Sequence, residues 1–150
     1  MNLNVGPIGA AVEPYGTAFV GSYGPPDEPG IHVLGIDRGT GAMAVLGELS
    51  GIRNPSFLAV HPRGTHLYAV SEVGLAADGS HGEVHALRID RRDGGVDLVT
   101  VNRRSTEGDQ PCHLTVHGSG RWLVVTNYGS GDVVVFPIAE DGSIGVMAAR

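Results

Sequence analysis

The sequence predicts an all-β protein, a β-propeller made of about three four-stranded blades that belong to a larger ring. Two observations carry this prediction. A unit of roughly 50 residues recurs along the 150-residue chain, and propeller blades typically repeat at about that length. No segment keeps a helical spacing of apolar residues over about ten positions, so helices are not expected.

The second and third units repeat each other at a constant offset of 56 residues. Residues 54–61 align with residues 110–117, where Pro, Leu, Val and His recur at matching positions. A first unit lies upstream, where residues 31–37 are similar to residues 84–90. Colinear matches of this kind are typical of a repeat architecture. The predicted blades cover about residues 17–49, 54–103 and 110–149.

Short apolar segments separated by turns that contain Gly, Asp or Pro predict four strands in each complete unit. In the second unit the strands are expected at about residues 55–61, 66–72, 83–90 and 96–102. In the third unit they are expected at about residues 112–117, 121–127, 132–138 and 144–149. The first unit has no recognisable innermost strand. Since propellers close with roughly four to eight blades, we expect these residues to be the N-terminal part of a ring whose C-terminus supplies that strand.

Composition and charge exclude several classes of protein. The chain has 10 Lys and Arg against 16 Asp and Glu, a net charge of −6, whereas binding to nucleic acid needs clustered positive charge. No apolar run approaches the roughly 20 residues of a membrane span, and residues 1–17 lack the basic start and apolar centre of a secretory signal. We therefore expect a cytoplasmic protein that binds neither nucleic acid nor membrane; its oligomeric state is left open.

No motif in the sequence points to a cofactor or a metal. The chain contains neither a P-loop nor a G-x-S-x-G elbow, and its single Cys excludes a Cys-rich zinc module. His113 and His117 are four residues apart, but on a strand this spacing separates them by about 13 Å, too far to share one ion. His61 and His66 flank a turn, where we expect them to be solvated, and Cys112 is expected to be buried between blades.

The pairing of the two innermost strands of each blade predicts where polar residues gather. In an antiparallel pair the start of one strand lies beside the end of the other. Residues 53–56 should therefore neighbour Glu72, and residues 110–113 should neighbour Asn127, all at one mouth of the central channel. A mouth lined by several blades is a usual setting for a small-molecule site. The turns at the opposite end carry His61, His66 and His117.

Segments of the second and third units resemble the lactonase family of seven-bladed β-propellers. The similarity is carried by residues 54–58, 67–72, 111–114, 120–123 and 127–131, and it is most specific in the Pro-Cys-His and Asn-Tyr-Gly-Ser-Gly segments of the third unit. It extends over about residues 19–138. The resemblance implies hydrolysis of a sugar lactone, of the 6-phosphogluconolactone type, in the cytoplasm and without an obligatory metal or cofactor.

His113 is the first catalytic candidate. A neutral imidazole near pH 7 can take a proton from water that attacks a lactone carbonyl, and the resemblance also implies a functional His in this inner strand. The alternative is a structural His bonded to backbone. Glu72 is the second catalytic candidate, either as a base or as the residue that orients His113; the alternative is a solvated loop carboxylate.

Three further residues at the mouth are candidates for substrate binding: Asn127, Arg53 and Asn54. The Asn127 amide could donate to an oxyanion or to a sugar hydroxyl, although capping of a turn is the competing role. The Arg53 guanidinium could pair with a substrate phosphate or carboxylate; the competing role is a solvated surface charge. Two classes of function remain, a lactone hydrolase and a non-catalytic propeller scaffold or binding module, because one fold can serve both.

Overall fold

The computed structural model describes residues 15–76 and 80–150, which form ten strands in three antiparallel sheets. No helix occurs within these ranges, and thus none that is long and apolar enough to cross a membrane. Most of the N-terminal segment considered for a secretory signal lies outside the described residues. The all-β prediction is confirmed.

The first sheet has three strands in the order β1-β2-β3. They are β1 (Tyr15–Gly21), β2 (Ile31–Asp37) and β3 (Met43–Leu49). This sheet corresponds to the first sequence unit, for which no innermost strand is recognisable.

The second sheet has four strands in the order β4-β5-β6-β7. They are β4 (Leu58–Val60), β5 (His66–Ser71), β6 (Glu83–Arg92) and β7 (Gly95–Ser105). The innermost strand β4 is shorter than predicted because the backbone turns at Asn54, which has a φ of 47°, and because Pro55 has no N–H to donate to a ladder.

The third sheet has three strands in the order β10-β9-β8. They are β8 (Pro111–Val116), β9 (Trp122–Asn127) and β10 (Asp132–Pro137). The prediction of a continuous fourth strand at residues 144–149 is wrong: only two isolated bridges form, Ile138 to Ile144 and Val135 to Ala149. Pro137, which lies between the two bridged positions of β10, cannot donate to a ladder.

The core lies between the sheets rather than within one of them. Successive side chains of a strand point to opposite faces, so Leu67 and Ala69 of β5 pack in a cluster with the first sheet, whereas Tyr68 and Val70 pack in a cluster with the third. Every residue of β5 is buried for this reason. The second sheet is thus sandwiched, and the sheets stack side by side with their strand ends aligned.

Candidate functional site

Asn54 and Glu72 meet at one end of the second sheet, as the strand pairing predicts. The Glu72 N–H donates to the Asn54 carbonyl at 3.1 Å, and Asn54 Nδ2 donates to the Glu72 carbonyl at 3.1 Å. Asn54 Oδ1 accepts from the N–H of Gly24, in the first sheet's loop, at 3.1 Å. Both polar groups of the Asn54 side chain are therefore bonded to backbone, and Asn54 holds two loops together.

We call this end of the sheets the mouth. It is defined by residues 22–24, 53–56, 72–73 and 109–113.

The Glu72 carboxylate is bonded to two hydroxyl groups. Ser56 Oγ donates to Glu72 Oε2, and the Tyr23 phenol forms a hydrogen bond with the same carboxylate. That hydrogen bond, followed by burial and by the negative charge of Glu72, raises the pKa of Tyr23. Tyr23 and Ser56 were not among the predicted site residues. The repeat carried a signal for Tyr23, which aligns with Tyr128 of the third unit, itself 56 residues after Glu72.

His113 lies on β8 with an exposed side chain. Its ring packs against Phe57, with ring centroids 4.3 Å apart and a tilt of 46°. In the described part of the chain its nitrogens have no hydrogen-bond partner, so the imidazole is not bonded to backbone and Glu72 does not orient it directly. One face is supported by an aromatic ring, while the nitrogens are free to exchange a proton.

Cys112 does not pack between blades as predicted, and that interpretation is wrong. The register of the β8–β9 pair shifts between Pro111 and His113, so Cys112 is the extra residue of a β-bulge, which re-aims a side chain. The thiol is partly exposed, and it lies close enough to the Tyr23 phenol to contribute to the raised pKa of that group. The start of β8 therefore approaches the Tyr23 side chain of the first sheet.

Asn127 is fully buried below the surface of the mouth. Its Nδ2 donates to Asp132 Oδ1 at 2.6 Å, and a Cβ placed on Gly108 would lie 2.3 Å from the same nitrogen. Gly108 thus covers the amide closely, and only a residue without a side chain fits there. The structure does not bring Asn127 to the surface with the other candidates.

Arg53 is exposed beside Asn54 at the mouth. Its carbonyl accepts a hydrogen bond from Ser71 Oγ at 2.9 Å, which anchors the backbone while the guanidinium extends freely. Within residues 15–76 and 80–150 no carboxylate pairs with this guanidinium. Arg53 therefore offers an unpaired positive charge at the mouth.

The opposite end of the sheets carries the remaining predicted histidines, but two of them are not solvated as expected. His61 and His66 are only 3% and 8% exposed. His61 Nε2 bonds to the carbonyl of Gly120 at 3.0 Å, and its Nδ1 accepts from the Arg63 N–H at 3.1 Å. Burial, together with the neighbouring His61, lowers the pKa of His66. Both imidazoles are structural parts of the contact between the second and third sheets.

A cavity of about 390 Å³ opens at this opposite end. It is lined by residues 61–63, 118–121 and 138–140. Because both nitrogens of His61 are already bonded to backbone, the His that lines this cavity is not available as an acid or base. Among residues 15–76 and 80–150, no group of three His, Cys, Asp or Glu side chains is placed to hold a metal ion.

Comparison with known families decides the family. The family profile described as "Lactonase, 7-bladed beta-propeller" matches residues 17–148. The chain belongs to the lactonase family. The resemblance read from the sequence and the predicted β-propeller class are both confirmed.

Curated members of the lactonase family are similar to this chain. A 6-phosphogluconolactonase from Formosa agariphila is 36% identical over 128 residues, and a 6-phosphogluconolactonase from Bacillus subtilis is 32% identical over 126 residues. Each alignment covers 84% of this chain but only 35% and 34% of the relatives. The chain therefore spans about a third of the length of these relatives.

Solved structures share the lactonase fold. A structure from Bacteroides fragilis matches with a TM-score of 0.76 and 30% identity, over 88% of this chain and 35% of that one. A periplasmic gluconolactonase from Pseudomonas aeruginosa matches with a TM-score of 0.73 and 30% identity, over 87% of this chain and 36% of that one.

Proposed function

We propose that the protein hydrolyses a sugar lactone of the 6-phosphogluconolactone type and that His113 is its general base. The observation that carries the proposal is the exposed imidazole of His113, which packs against Phe57 and has no hydrogen-bond partner in the described part of the chain. The names of the curated relatives favour an enzyme over a non-catalytic scaffold or binding module.

The proposed reaction uses His113 twice. As the oxygen of a water molecule bonds to the lactone carbonyl carbon, its proton passes to the imidazole and the carbonyl electron pair moves onto oxygen. Collapse of the tetrahedral intermediate breaks the ring carbon–oxygen bond, and the imidazolium returns the proton to the leaving alkoxide. The product is the open-chain hydroxy acid, and no metal or cofactor is required for this balance.

Arg53 supplies charge recognition in this proposal. A guanidinium forms charge-assisted hydrogen bonds with phosphate or carboxylate oxygens in a planar, paired geometry. Arg53 is exposed and unpaired beside Asn54, which holds the loop in place. We assign Arg53 to the phosphate of a phosphorylated lactone, and the anionic product would be released from the same charge.

A cytoplasmic location is also part of the proposal. It is supported by the acidic composition and by the phosphorylated substrate class, which belongs to intracellular sugar chemistry. The similar Pseudomonas aeruginosa structure is a periplasmic gluconolactonase, so fractionation of cells with detection of the protein is the direct test. Recovery from the periplasm would overturn the location without affecting the chemistry.

The proposed activity is tested by following the disappearance of δ-gluconolactone and of its 6-phosphate with full-length protein. Both lactones open spontaneously, so the rate is compared with buffer and with an equal amount of His113→Ala protein purified in the same way. We expect hydrolysis well above both backgrounds with wild type. A wild-type rate equal to that of buffer for both lactones would refute lactone hydrolysis.

A further inference from the structure

Three polar side chains from separate parts of the fold meet at the mouth. Tyr23 follows β1 of the first sheet, while Ser56 precedes β4 and Glu72 follows β5 of the second sheet. Ser56 Oγ donates to Glu72 Oε2, and the Tyr23 phenol is bonded to the same carboxylate. We call these three residues the Tyr23 cluster.

The Tyr23 cluster presents hydrogen-bond acceptors to a bound molecule. A carboxylate only accepts, at about four lone-pair positions, and a hydroxyl that donates its proton keeps its own lone pairs. Because Glu72 receives hydrogen bonds from both hydroxyls, the positions left over on all three groups are acceptors. Bonding to Glu72 raises the pKa of Tyr23, so the phenol keeps its proton at neutral pH and stays in this arrangement.

The cluster is open to the mouth through one of its members. The Tyr23 residue is 65% exposed, whereas Ser56 and Glu72 are only partly exposed. A ligand at the mouth would therefore contact the phenol oxygen first and the carboxylate beside it. The nearby Cys112 thiol, which contributes to the Tyr23 pKa, adds no strong donor to the group.

We propose that the Tyr23 cluster is a hydroxyl-binding subsite that selects polyhydroxylated lactones, with Tyr23 as the specificity-determining residue. This role rests on the proposed lactone hydrolysis. The carbonyl and ring oxygens of a plain lactone are themselves acceptors and gain nothing from a surface of acceptors. The hydroxyl groups of a sugar lactone can donate to the phenol oxygen and to Glu72, and buried polar groups that lose such partners discriminate strongly against the analogue.

Tyr128 provides the matched control. It lies 56 residues after Glu72, at the equivalent position of the third unit, and it is 77% exposed. Its hydroxyl has no hydrogen-bond partner in the described part of the chain. Removal of this hydroxyl therefore deletes the same atom from the same kind of position without touching the Tyr23 cluster.

The test compares Tyr23→Phe, Tyr128→Phe and wild type, as full-length proteins, on δ-gluconolactone and on δ-valerolactone, which has the same ring but no hydroxyl groups. We expect Tyr23→Phe to lower kcat/KM for δ-gluconolactone about tenfold, as the loss of one or two neutral hydrogen bonds predicts. The value for δ-valerolactone should stay within about twofold of wild type. Tyr128→Phe should change neither value. An equal loss on both lactones, or no loss on either, would overturn the proposal.

A binding measurement separates this subsite from the proposed activity. Anhydroglucitol is a pyranose without a carbonyl group, so its binding, measured by ligand-detected NMR, does not depend on hydrolysis; tetrahydropyran is the ring without hydroxyls. We expect wild type to bind anhydroglucitol about tenfold more tightly than Tyr23→Phe does and to ignore tetrahydropyran. If wild type hydrolyses neither lactone but binds anhydroglucitol in this way, the activity fails and the subsite stands. If wild type does not bind anhydroglucitol, the subsite fails.

Discussion

Asn54 and Gln110 lie 56 residues apart and share an unusual backbone conformation, with φ angles of 47° and 53°. Each N–H donates to a loop carbonyl of the preceding sheet: Asn54 to Gly24 at 3.1 Å, and Gln110 to Val73 at 2.9 Å. Each carbonyl accepts an N–H from the residue that follows the second strand of its own sheet. The left-handed turn therefore connects neighbouring sheets at the mouth, and the same connection is built twice.

We expect Asn54→Ala to destabilise the protein by about 1–3 kcal/mol. The substitution removes the side-chain bonds to Gly24 and Glu72, and it leaves a residue with a β-carbon but no compensating polar group in a left-handed conformation. Thermal unfolding of the full-length protein measures the effect as a lower Tm.

Asn54→Gly and Arg53→Ala are the comparisons for this prediction. Asn54→Gly loses the same hydrogen bonds but adopts a positive φ without strain, so its Tm should lie between those of Asn54→Ala and wild type. Arg53→Ala, next in the chain and exposed, should stay within about 0.5 kcal/mol. A Tm of Asn54→Ala equal to that of wild type would contradict the connecting role.

His113→Ala should lower kcat for lactone hydrolysis by at least about 100-fold, because positioned general-base catalysis contributes roughly 10²- to 10⁴-fold. The Tm should be nearly unchanged, since His113 is exposed and its nitrogens bond to nothing in the described residues. Steady-state kinetics at substrate saturation, with the folded fraction checked by thermal unfolding, measures both values.

His117→Ala is the control for the catalytic prediction. His117 follows the same strand at the opposite end, where its Nδ1 is bonded to Ser119, and its removal should leave the rate unchanged. Equal rates for wild type and His113→Ala would end the base hypothesis and make Glu72 the next residue to test. A lower Tm with unchanged kcat would instead assign His113 a structural role.

Arg53→Gln should raise KM for the phosphorylated lactone about tenfold or more, because hydrogen bonds to charged groups are stronger than neutral ones. KM for unphosphorylated δ-gluconolactone should change little. Arg121→Gln, at the opposite end beside the cavity, should change neither. The same increase in KM for both lactones would show that Arg53 does not recognise the phosphate.

Tyr68 should make stability fall at alkaline pH. Its phenol donates to the Gly142 carbonyl at 2.9 Å, and burial raises its pKa from 10.0 to about 12. Above pH 10 the unfolded chain loses this proton while the folded protein keeps it, so the free energy of unfolding decreases between pH 10 and about 12. The decrease from this residue is about 2–3 kcal/mol.

Tyr68→Phe isolates that alkaline effect. The variant should be less stable than wild type at neutral pH, because the Gly142 carbonyl loses its partner, but its stability should fall less steeply above pH 10. The 150 residues contain no lysine, so few other groups titrate in this range. Parallel pH profiles of the denaturation midpoint for Tyr68→Phe and wild type would exclude Tyr68 as the cause.

The repeat in the sequence determined the fold class and the placement of strand ends. A constant offset aligns strands with strands and turns with turns, and antiparallel pairing then decides which residues share an end. Asn54 and Glu72 could be placed together in this way, and His61 and His117 apart from them, without any knowledge of packing. The lactonase resemblance followed from short motifs that lie in the same turns.

Tertiary structure alone decided what surrounds each of these residues. Tyr23 reaches Glu72 from another sheet, and Gly120 of the third sheet covers the imidazole of His61. Asn127 lies under Gly108 instead of facing the mouth. The physical reason is that periodicity reports pairing within one sheet, whereas contacts between sheets depend on their twist and separation, which involve residues distant in sequence and leave no periodic trace.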